Sequence, residues 1–250
     1  MWKTKLDFFL CLFMSLKAKT LLFAFFLILL AFVAINFFSI YWTSVLVSMI
    51  FLFIGSMFFF IYLDFSHAVL PLMKKWPSVS VIIPCYNAED TIEKCIESVK
   101  KMFYSSKFEI IVVNDASKDS SLSILKKIPG IKLLNKTKNA GKAAAINSGL
   151  KISKGVIICC IDSDTFPSSD ALEKTVPFFA DEKVGAVTCL IRVYKPNTFF
   201  KMVQELEYLL GFGFYQTMLS NIGAAMVTPG PMCVYRKKAL VEVGGFDEYN

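Results

Sequence analysis

The chain has 250 residues, a formal net charge of +7 and a composition that is 55% hydrophobic. This length suits one domain with an anchor or two small domains, and the apolar share is too high for an ordinary soluble protein. No basic run is interleaved with aromatic residues, so the positive charge does not indicate nucleic-acid binding. The single histidine, His67, argues against a histidine-rich metal site and against a Ser-His-Asp triad.

The apolar residues are concentrated near the start of the chain, where residues 20–63 contain no charged side chain. One crossing of a bilayer needs about 20 apolar residues, so this stretch is long enough for two. We predict transmembrane helices near Leu21–Ile40 and Val45–Leu63, with a turn at Thr43 and Ser44. The alternative interpretation is a pair of buried core helices.

Lysine residues flank the predicted hairpin on both sides: Lys3, Lys5, Lys17, Lys19, Lys74 and Lys75. Positive flanks lie on the cytoplasmic side, so we predict a multi-pass protein of the cell membrane with a cytoplasmic catalytic domain. The apolar run Phe8–Leu16 is too short to span and is predicted to lie in the interface. The predicted domains are 1–19, a cytoplasmic or interfacial segment; 20–64, the hairpin; 65–76, a linker; and 77–250, the catalytic domain.

After Pro77, short apolar runs alternate with helical stretches. We predict strands at Ser78–Pro84, Phe108–Val113, Ile131–Leu134, Gly155–Ile161 and Gly185–Val193. The helices between and after them are predicted at Glu89–Met102, Ser117–Lys127, Ala140–Ser153 and Ser168–Phe179. This alternation is typical of an α/β domain with a mostly parallel sheet. A further helical stretch, Phe199–Ser220, either lies along a membrane or polymer entrance or packs in the core.

Polar side chains follow three of the predicted strands. Tyr86 and Asn87 come after the first strand, Asp115 follows the second, and Asp162 and Asp164 follow the fourth. Ligands of such sheets collect at the carboxyl ends of the strands, so these side chains predict a binding site.

The Asp162-Ser163-Asp164 sequence indicates a site for Mg²⁺ or Mn²⁺, because these cations prefer carboxylate and phosphate oxygens. Both aspartates could instead cap the next helix, and Asp115 has the same alternative. Lys142 lies near the start of a predicted helix, where a cation gains nothing from the helix dipole. An anionic ligand explains that placement better than a solvated lysine does.

Several motifs resemble family 2 glycosyltransferases of the GT-A fold, and especially the membrane synthases of hyaluronan, chitin oligosaccharides and poly-N-acetylglucosamine. The segments that carry the resemblance are Ser80–Glu89, Val112–Asp119, Asn139–Asn147, Ile161–Pro167, Gly230–Arg236 and Gly244–Asp247. They follow one another in the family's order over residues 77–250. The fold class is therefore predicted to be α/β, a Rossmann-like GT-A domain after a transmembrane hairpin.

The resemblance implies a nucleotide-sugar donor, with a UDP-sugar favoured, and a glycan or lipid acceptor. The implied donor-binding residues are Pro84, Tyr86, Asn87, Asp115, Lys142, Asp162 and Asp164. Of these, Asp164 and Asp162 would bind the metal. The implied acceptor-binding residues are Gly230, Pro231, Tyr235 and Arg236.

The chain departs from the family pattern at its end. Family members continue past the GGFD element to an acidic motif with the general base, then to a QxxRW motif and further transmembrane helices. We therefore expect the base beyond Asn250 or on a second chain. The rival hypotheses are a donor-binding fragment without transfer activity and a sugar-phosphate nucleotidyltransferase. The latter usually carries a GxGxRxxP loop where this chain has Pro84-Cys85-Tyr86-Asn87.

Overall fold

A computed structural model describes residues 16–37, 40–65, 71–73, 75–221 and 230–248. The chain divides into two compact units, Met1–His67 and Ala68–Asn250. The predicted interfacial run Phe8–Leu16 lies outside the described residues, apart from Leu16.

The first unit contains helices α1 (Leu16–Phe37) and α2 (Ile40–Phe65). They contact each other where the ring of Phe23 meets the rings of Phe51 and Phe58 edge-on, each at 6.4 Å between centroids. None of the helices in the described part of the chain is both long and apolar enough to cross a membrane, so the structure does not support the predicted transmembrane hairpin.

The predicted turn at Thr43 and Ser44 is wrong, because both residues lie inside α2. Hydroxyl side chains are tolerated in a helix when they bond to a carbonyl one turn back. Ser48 does so by donating to the Ser44 carbonyl at 2.7 Å. A polar pair within an apolar run therefore does not by itself mark a turn.

The second unit is built on a six-stranded sheet with the order β3-β2-β1-β4-β6-β5. Its strands are β1 (Val79–Cys85), β2 (Phe108–Asn114), β3 (Lys132–Asn135), β4 (Ile157–Ile161), β5 (Ala186–Thr188) and β6 (Met232–Arg236). The strands β1 to β4 run parallel to one another, whereas β6 pairs antiparallel with both β4 and β5. The prediction of an α/β domain with a mostly parallel sheet is confirmed.

Helices cover both faces of this sheet. The α-helices are α3 (Ile92–Lys100), α4 (Ser121–Leu125), α5 (Gly141–Ile152), α6 (Ala171–Thr175), α7 (Phe199–Tyr208), α8 (Gln216–Asn221) and α9 (Lys237–Glu242). Because side chains alternate along a strand, Val81 and Ile83 face a core shared with α3, α4 and α6, while Ile82 faces one shared with α5 and α9. The central strands are apolar on both sides for this reason.

Several predicted elements are shorter in the structure, among them the helix expected at Ser117–Lys127, of which only α4 is α-helical. The helix expected at Ser168–Phe179 is α-helical only as α6 and continues as a 3₁₀ turn, because Pro177 has no N–H to donate. The strand expected at Gly185–Val193 is only β5. Beyond it, the Val193 N–H donates to the carboxylate of Glu205 on α7 at 2.6 Å instead of to a strand.

The stretch Phe199–Ser220 is helical, as predicted, but it is not one regular helix. It consists of α7, a π-helical segment (Leu209–Tyr215) and α8. The side of α7 that carries Glu205 faces the protein, and Phe199, Phe200 and Leu206 are exposed. The core-packing interpretation therefore does not hold for these three side chains.

A charged cluster ties the amino ends of three strands together. Glu109 accepts hydrogen bonds from the Ser80 hydroxyl and the Lys154 amide, each at 2.6 Å, and forms an ion pair with Lys132. Burial raises the pKa of the Glu109 carboxyl, but these hydrogen bonds and the charge of Lys132 outweigh burial and lower the pKa to about 2.

Glu109→Gln should lower the free energy of unfolding by about 1–2 kcal/mol near neutral pH. Since the folded pKa lies below the usual 4.5, this stabilisation is complete above pH 4.5 and is lost as the pH falls towards 2. The measurement is thermal unfolding of the detergent-solubilised chain at pH 7, 4.5 and 3. The difference in melting temperature between wild type and Glu109→Gln should become smaller as the pH falls. Glu97→Gln, at an exposed position, should have the melting temperature of wild type at each pH.

Candidate functional site

A cleft of about 440 Å³ lies at the carboxyl ends of β1, β2 and β4, which are neighbours in the sheet. It contains most of the residues that the sequence predicts for donor binding. Its lining residues are Pro84, Cys85, Tyr86, Asp115, Asn139, Gly141, Lys142, Ala145, Asp162, Ser163 and Asp164. Three strand ends and the start of α5 therefore deliver polar groups to one concave surface.

Asp115 follows β2 and is buried against the start of α5. Its carboxylate accepts hydrogen bonds from the Gly141 N–H at 2.8 Å and the Ala140 N–H at 3.2 Å. It also forms an ion pair with Lys136 Nζ at 2.5 Å, and the two side chains are only 4% and 18% exposed. Asp115 thus acts as the cap of α5, a helix distant in sequence, instead of capping the helix that follows it.

Lys142 and Asp162 form an ion pair inside the cleft, with Lys142 Nζ 2.5 Å from Asp162 Oδ1. The backbone of Asp162 is held by its neighbours, since its N–H donates to the Pro231 carbonyl at 3.0 Å. The Cys95 thiol contacts the Asp162 carbonyl from the core side at 3.5 Å. Asp164, two residues on, lines the cleft and is exposed.

The acidic pair fits a divalent cation that arrives with a phosphate ligand. No group of three or more His, Cys, Asp or Glu side chains in the described ranges could hold a metal by itself. Mg²⁺ typically takes one or two carboxylates and completes its shell with water and phosphate oxygens. Asp162 and Asp164 supply that number of carboxylates at the mouth of the cleft.

Asn87 is absent from the cleft lining and instead holds two loops together. It adopts a positive φ of 48°, its N–H donates to the Ser117 hydroxyl at 3.1 Å, and its Oδ1 accepts from the Lys118 N–H at 2.8 Å. The structure therefore places Asn87 in a scaffolding position behind Tyr86, which lines the cleft.

The four residues predicted to bind the acceptor lie in two pairs at opposite ends of strand β6. Gly230 and Pro231 lie beside Asp162, whereas Tyr235 and Arg236 pair with Ile158 and Ile157 at the opposite edge of the sheet. An antiparallel strand of five residues carries the chain about 13 Å, so the two ends of this motif cannot meet at one site. The structure does not bring Tyr235 and Arg236 to the cleft.

Three residues that contribute to the site had no assigned role in the sequence. Asn139 and Ser163 line the cleft, and Lys136 is the ion-pair partner of Asp115. Asn139 and Ser163 lie within segments that resemble family motifs, so the sequence could have indicated that they belong to the site. For Lys136, which follows β3, nothing in the local pattern indicates a partner.

Cys85 also lines the cleft, at the end of β1. Burial raises the pKa of its thiol to about 11. It is therefore neutral at physiological pH and acts there as a small apolar wall.

Residues 80–244 match the sequence pattern of glycosyl transferase family 2. The chain belongs to this family. The family 2 chain is 30% identical over 223 residues to a poly-β-1,6-N-acetyl-D-glucosamine synthase of Staphylococcus aureus strain MSSA476, a match that covers 84% of the chain and 50% of that protein. The synthase of the same name from Staphylococcus epidermidis matches at 30% over 224 residues with the same coverage. The chain thus spans about half the length of these curated relatives.

Solved structures agree with this assignment. A mannosyltransferase from Pyrobaculum calidifontis, in complex with GDP-Man and Mn²⁺, is 25% identical and superposes with a TM-score of 0.61 over 82% of this chain and 59% of that chain. Residues 1–349 of Staphylococcus aureus TarS in complex with UDP superpose with a TM-score of 0.51 at 23% identity, covering 68% of this chain and 50% of that one. The latter shows a likeness of fold. The predicted resemblance to family 2 glycosyltransferases is confirmed.

Proposed function

We propose that this chain carries the donor site of a glycosyltransferase that moves a sugar from a nucleoside diphosphate to a glycan or lipid-linked acceptor. The observation that carries the proposal is the convergence of Tyr86, Lys142, Asp162 and Asp164 on one cleft at the carboxyl edge of a parallel sheet. A UDP-sugar is the favoured donor. Inversion at the anomeric carbon is expected from the family.

The base and the diphosphate of such a donor each have a partner in this cleft. The exposed ring of Tyr86 offers a flat surface to a nucleobase, and the Lys142 ammonium offers a charge to the diphosphate. Asp115 holds the loop before α5 in place while still lining the cleft, where a base N–H can reach it. Asp162 and Asp164 would hold Mg²⁺ or Mn²⁺, which when bound neutralises the charge that develops on the diphosphate leaving group.

The same cleft also supports the second hypothesis, in which this chain binds the donor but has no transfer activity by itself. The carboxylates that line it in the described residues are Asp115, Asp162 and Asp164, and all three already have roles. A general base for the acceptor hydroxyl would then come from elsewhere, either from further residues of the polypeptide or from a second chain.

Calorimetric titration of the detergent-solubilised chain with UDP and GDP, with and without Mn²⁺, tests this proposal. Asp164→Asn should weaken the Mn²⁺-dependent binding of the preferred nucleotide about tenfold or more, since it removes a charged metal ligand. Asp170→Asn makes the same charge change outside the cleft and should bind as wild type does.

Failure of wild type to bind either nucleotide would overturn the donor-site proposal. Binding without transfer to any acceptor, followed by transfer once a second polypeptide is added, would favour the donor-binding half. A nucleotidyltransferase would instead release pyrophosphate from a nucleoside triphosphate and a sugar phosphate.

We also propose that the first unit attaches the chain to a lipid bilayer. Residues 20–63 carry no charged side chain, and large apolar side chains on α1 and α2 are exposed, with Phe25, Ile28, Leu52 and Phe53 each at least 67% accessible. Apolar surface of this extent usually marks a membrane or protein contact.

Flotation with liposomes tests the attachment. Wild type should float with the vesicles. The quadruple variant Phe25→Ser, Ile28→Ser, Leu52→Ser, Phe53→Ser should float at least severalfold less, because each substitution removes apolar area that the bilayer would bury. The double variant Val241→Ser, Val243→Ser removes exposed apolar residues of the second unit and should float as wild type does. Wild type that stays with the soluble fraction would contradict the attachment.

A further inference from the structure

The ion pair between Lys142 and Asp162 places a protein cation where a metal ion would have to bind. Lys142 Nζ is 2.5 Å from Asp162 Oδ1, and the two side chains are 51% and 25% exposed. A carboxylate that already accepts from an ammonium is a poorer ligand for Mg²⁺ or Mn²⁺. A metal ion bound to the same carboxylate would also be repelled by the Lys142 ammonium.

The surrounding backbone places Lys142 within reach of Asp162. The start of α5 is tied to Asp115 through the Ala140 and Gly141 N–H groups. On the other side lies Gly230, where a Cβ would come within 3.2 Å of Lys142 Nζ and 3.9 Å of Asp162 Oδ2. The glycine therefore leaves room for the ammonium next to the carboxylate.

A metal bound to the described acidic residues alone would be held only weakly, because they do not provide three clustered ligand side chains. The phosphate oxygens that complete the shell also carry the charge that attracts Lys142. A diphosphate in the cleft would thus supply metal ligands and compete with Asp162 for the lysine at the same time.

We propose that Lys142 makes divalent-cation binding depend on the nucleotide. With no diphosphate in the cleft, Lys142 neutralises Asp162 and keeps the metal affinity low. When a nucleoside diphosphate binds, Lys142 turns to the phosphates and Asp162 is released to the metal. This inference rests on the proposed donor site, and it predicts positive coupling between metal and nucleotide that is reciprocal.

The test is the affinity for Mn²⁺ alone, measured by electron paramagnetic resonance on the solubilised chain without nucleotide. Lys142→Gln should bind Mn²⁺ about tenfold more tightly than wild type, because it removes both the competing ion pair and the repulsion. The same variant should bind UDP more weakly in the presence of Mn²⁺. A purely structural role for Lys142 would instead weaken both affinities.

Lys138→Gln is the matched control, since it removes one positive charge from the same exposed loop at a residue that does not line the cleft. It should leave both affinities within about twofold of wild type. Lys142→Met, of similar length and also neutral, should reproduce the Lys142→Gln result, and thermal unfolding is the check that both variants are folded.

Mn²⁺ affinity that is unchanged or weaker in both folded Lys142 variants would overturn the inference. If wild type binds UDP with Mn²⁺ in that case, the donor site stands and only the role of Lys142 falls. If wild type binds no nucleotide under any condition, the proposed function falls as well. Tighter Mn²⁺ binding in the two variants, with a smaller coupling between Mn²⁺ and UDP than in wild type, is the supporting result.

Discussion

Replacing Asp115 with alanine should lower the free energy of unfolding of the second unit by about 3 kcal/mol and abolish nucleotide binding. The carboxylate is almost fully buried, and its removal leaves Lys136, only 18% exposed, without its anionic partner. Breaking a buried pair from one side is costly because an uncompensated charge remains. The Ala140 N–H loses its acceptor at the same time, and the Gly141 N–H keeps only its bond to Asn139 Oδ1 at 3.1 Å.

Urea unfolding and UDP calorimetry on the solubilised chain together separate the two effects. The double variant Asp115→Asn, Lys136→Met removes both charges while keeping a side-chain oxygen for the Gly141 N–H. It should recover most of the stability that Asp115→Ala loses, because no unpaired buried charge remains. Nucleotide binding should stay weak, and full recovery of UDP binding in the double variant would mean that Asp115 acts only through folding.

Arg236→Met should lower the free energy of unfolding by about 2–3 kcal/mol and leave nucleotide binding unchanged. The guanidinium donates to the carbonyls of Phe179, Asp181 and Val184 at 2.8–3.1 Å. It also lies 5.5 Å from the centre of the Phe179 ring. Charge-assisted hydrogen bonds of this kind are stronger than neutral ones, and methionine replaces none of them.

Urea unfolding of Arg236→Met, with Lys238→Met as the control, tests this structural role. Lys238 carries the same charge two residues later, but its side chain is 82% exposed and its ion pair with Glu242 is long, at 3.8 Å. Lys238→Met should change stability by less than about 0.5 kcal/mol. Unchanged stability of Arg236→Met together with a raised KM for the acceptor would restore the acceptor-binding role that the family resemblance implies.

The parallel part of the sheet could be predicted from local pattern because its strands are buried on both faces. Such strands appear in a sequence as continuous apolar runs, and the strands predicted at Ser78–Pro84 and Phe108–Val113 lie nearly at the observed bounds of β1 and β2. The weaker predictions concern the edge of the sheet. β5 has just three residues, and the chain beyond it is drawn to Glu205 by hydrogen bonds that no local pattern reveals.

The direction of β6 could not be predicted either. The Gly230–Arg236 motif looks like one functional unit, but the extended strand β6 separates Gly230 from Arg236. Its antiparallel pairing with β4 places the Gly230 end beside the carboxyl end of β4. In the first unit, the apolar run predicted two helices correctly, but the turn between them was placed at two hydroxyl residues that lie inside α2. In both cases the residue types alone did not indicate the observed backbone conformation.

The amino-acid sequence by itself determined the family, the parallel α/β core and the residue types at the strand ends. These follow from local properties, because apolar periodicity indicates which residues are buried and the order of the motifs can be read from the sequence directly. Only the tertiary structure decided which of those residues act together. The contacts that matter join residues that are distant in sequence: Lys142 with Asp162, Asp115 with Lys136, and Arg236 with the carbonyls near Phe179. Such partners depend on strand order and register, which are set by the packing of the whole sheet and not by any local pattern.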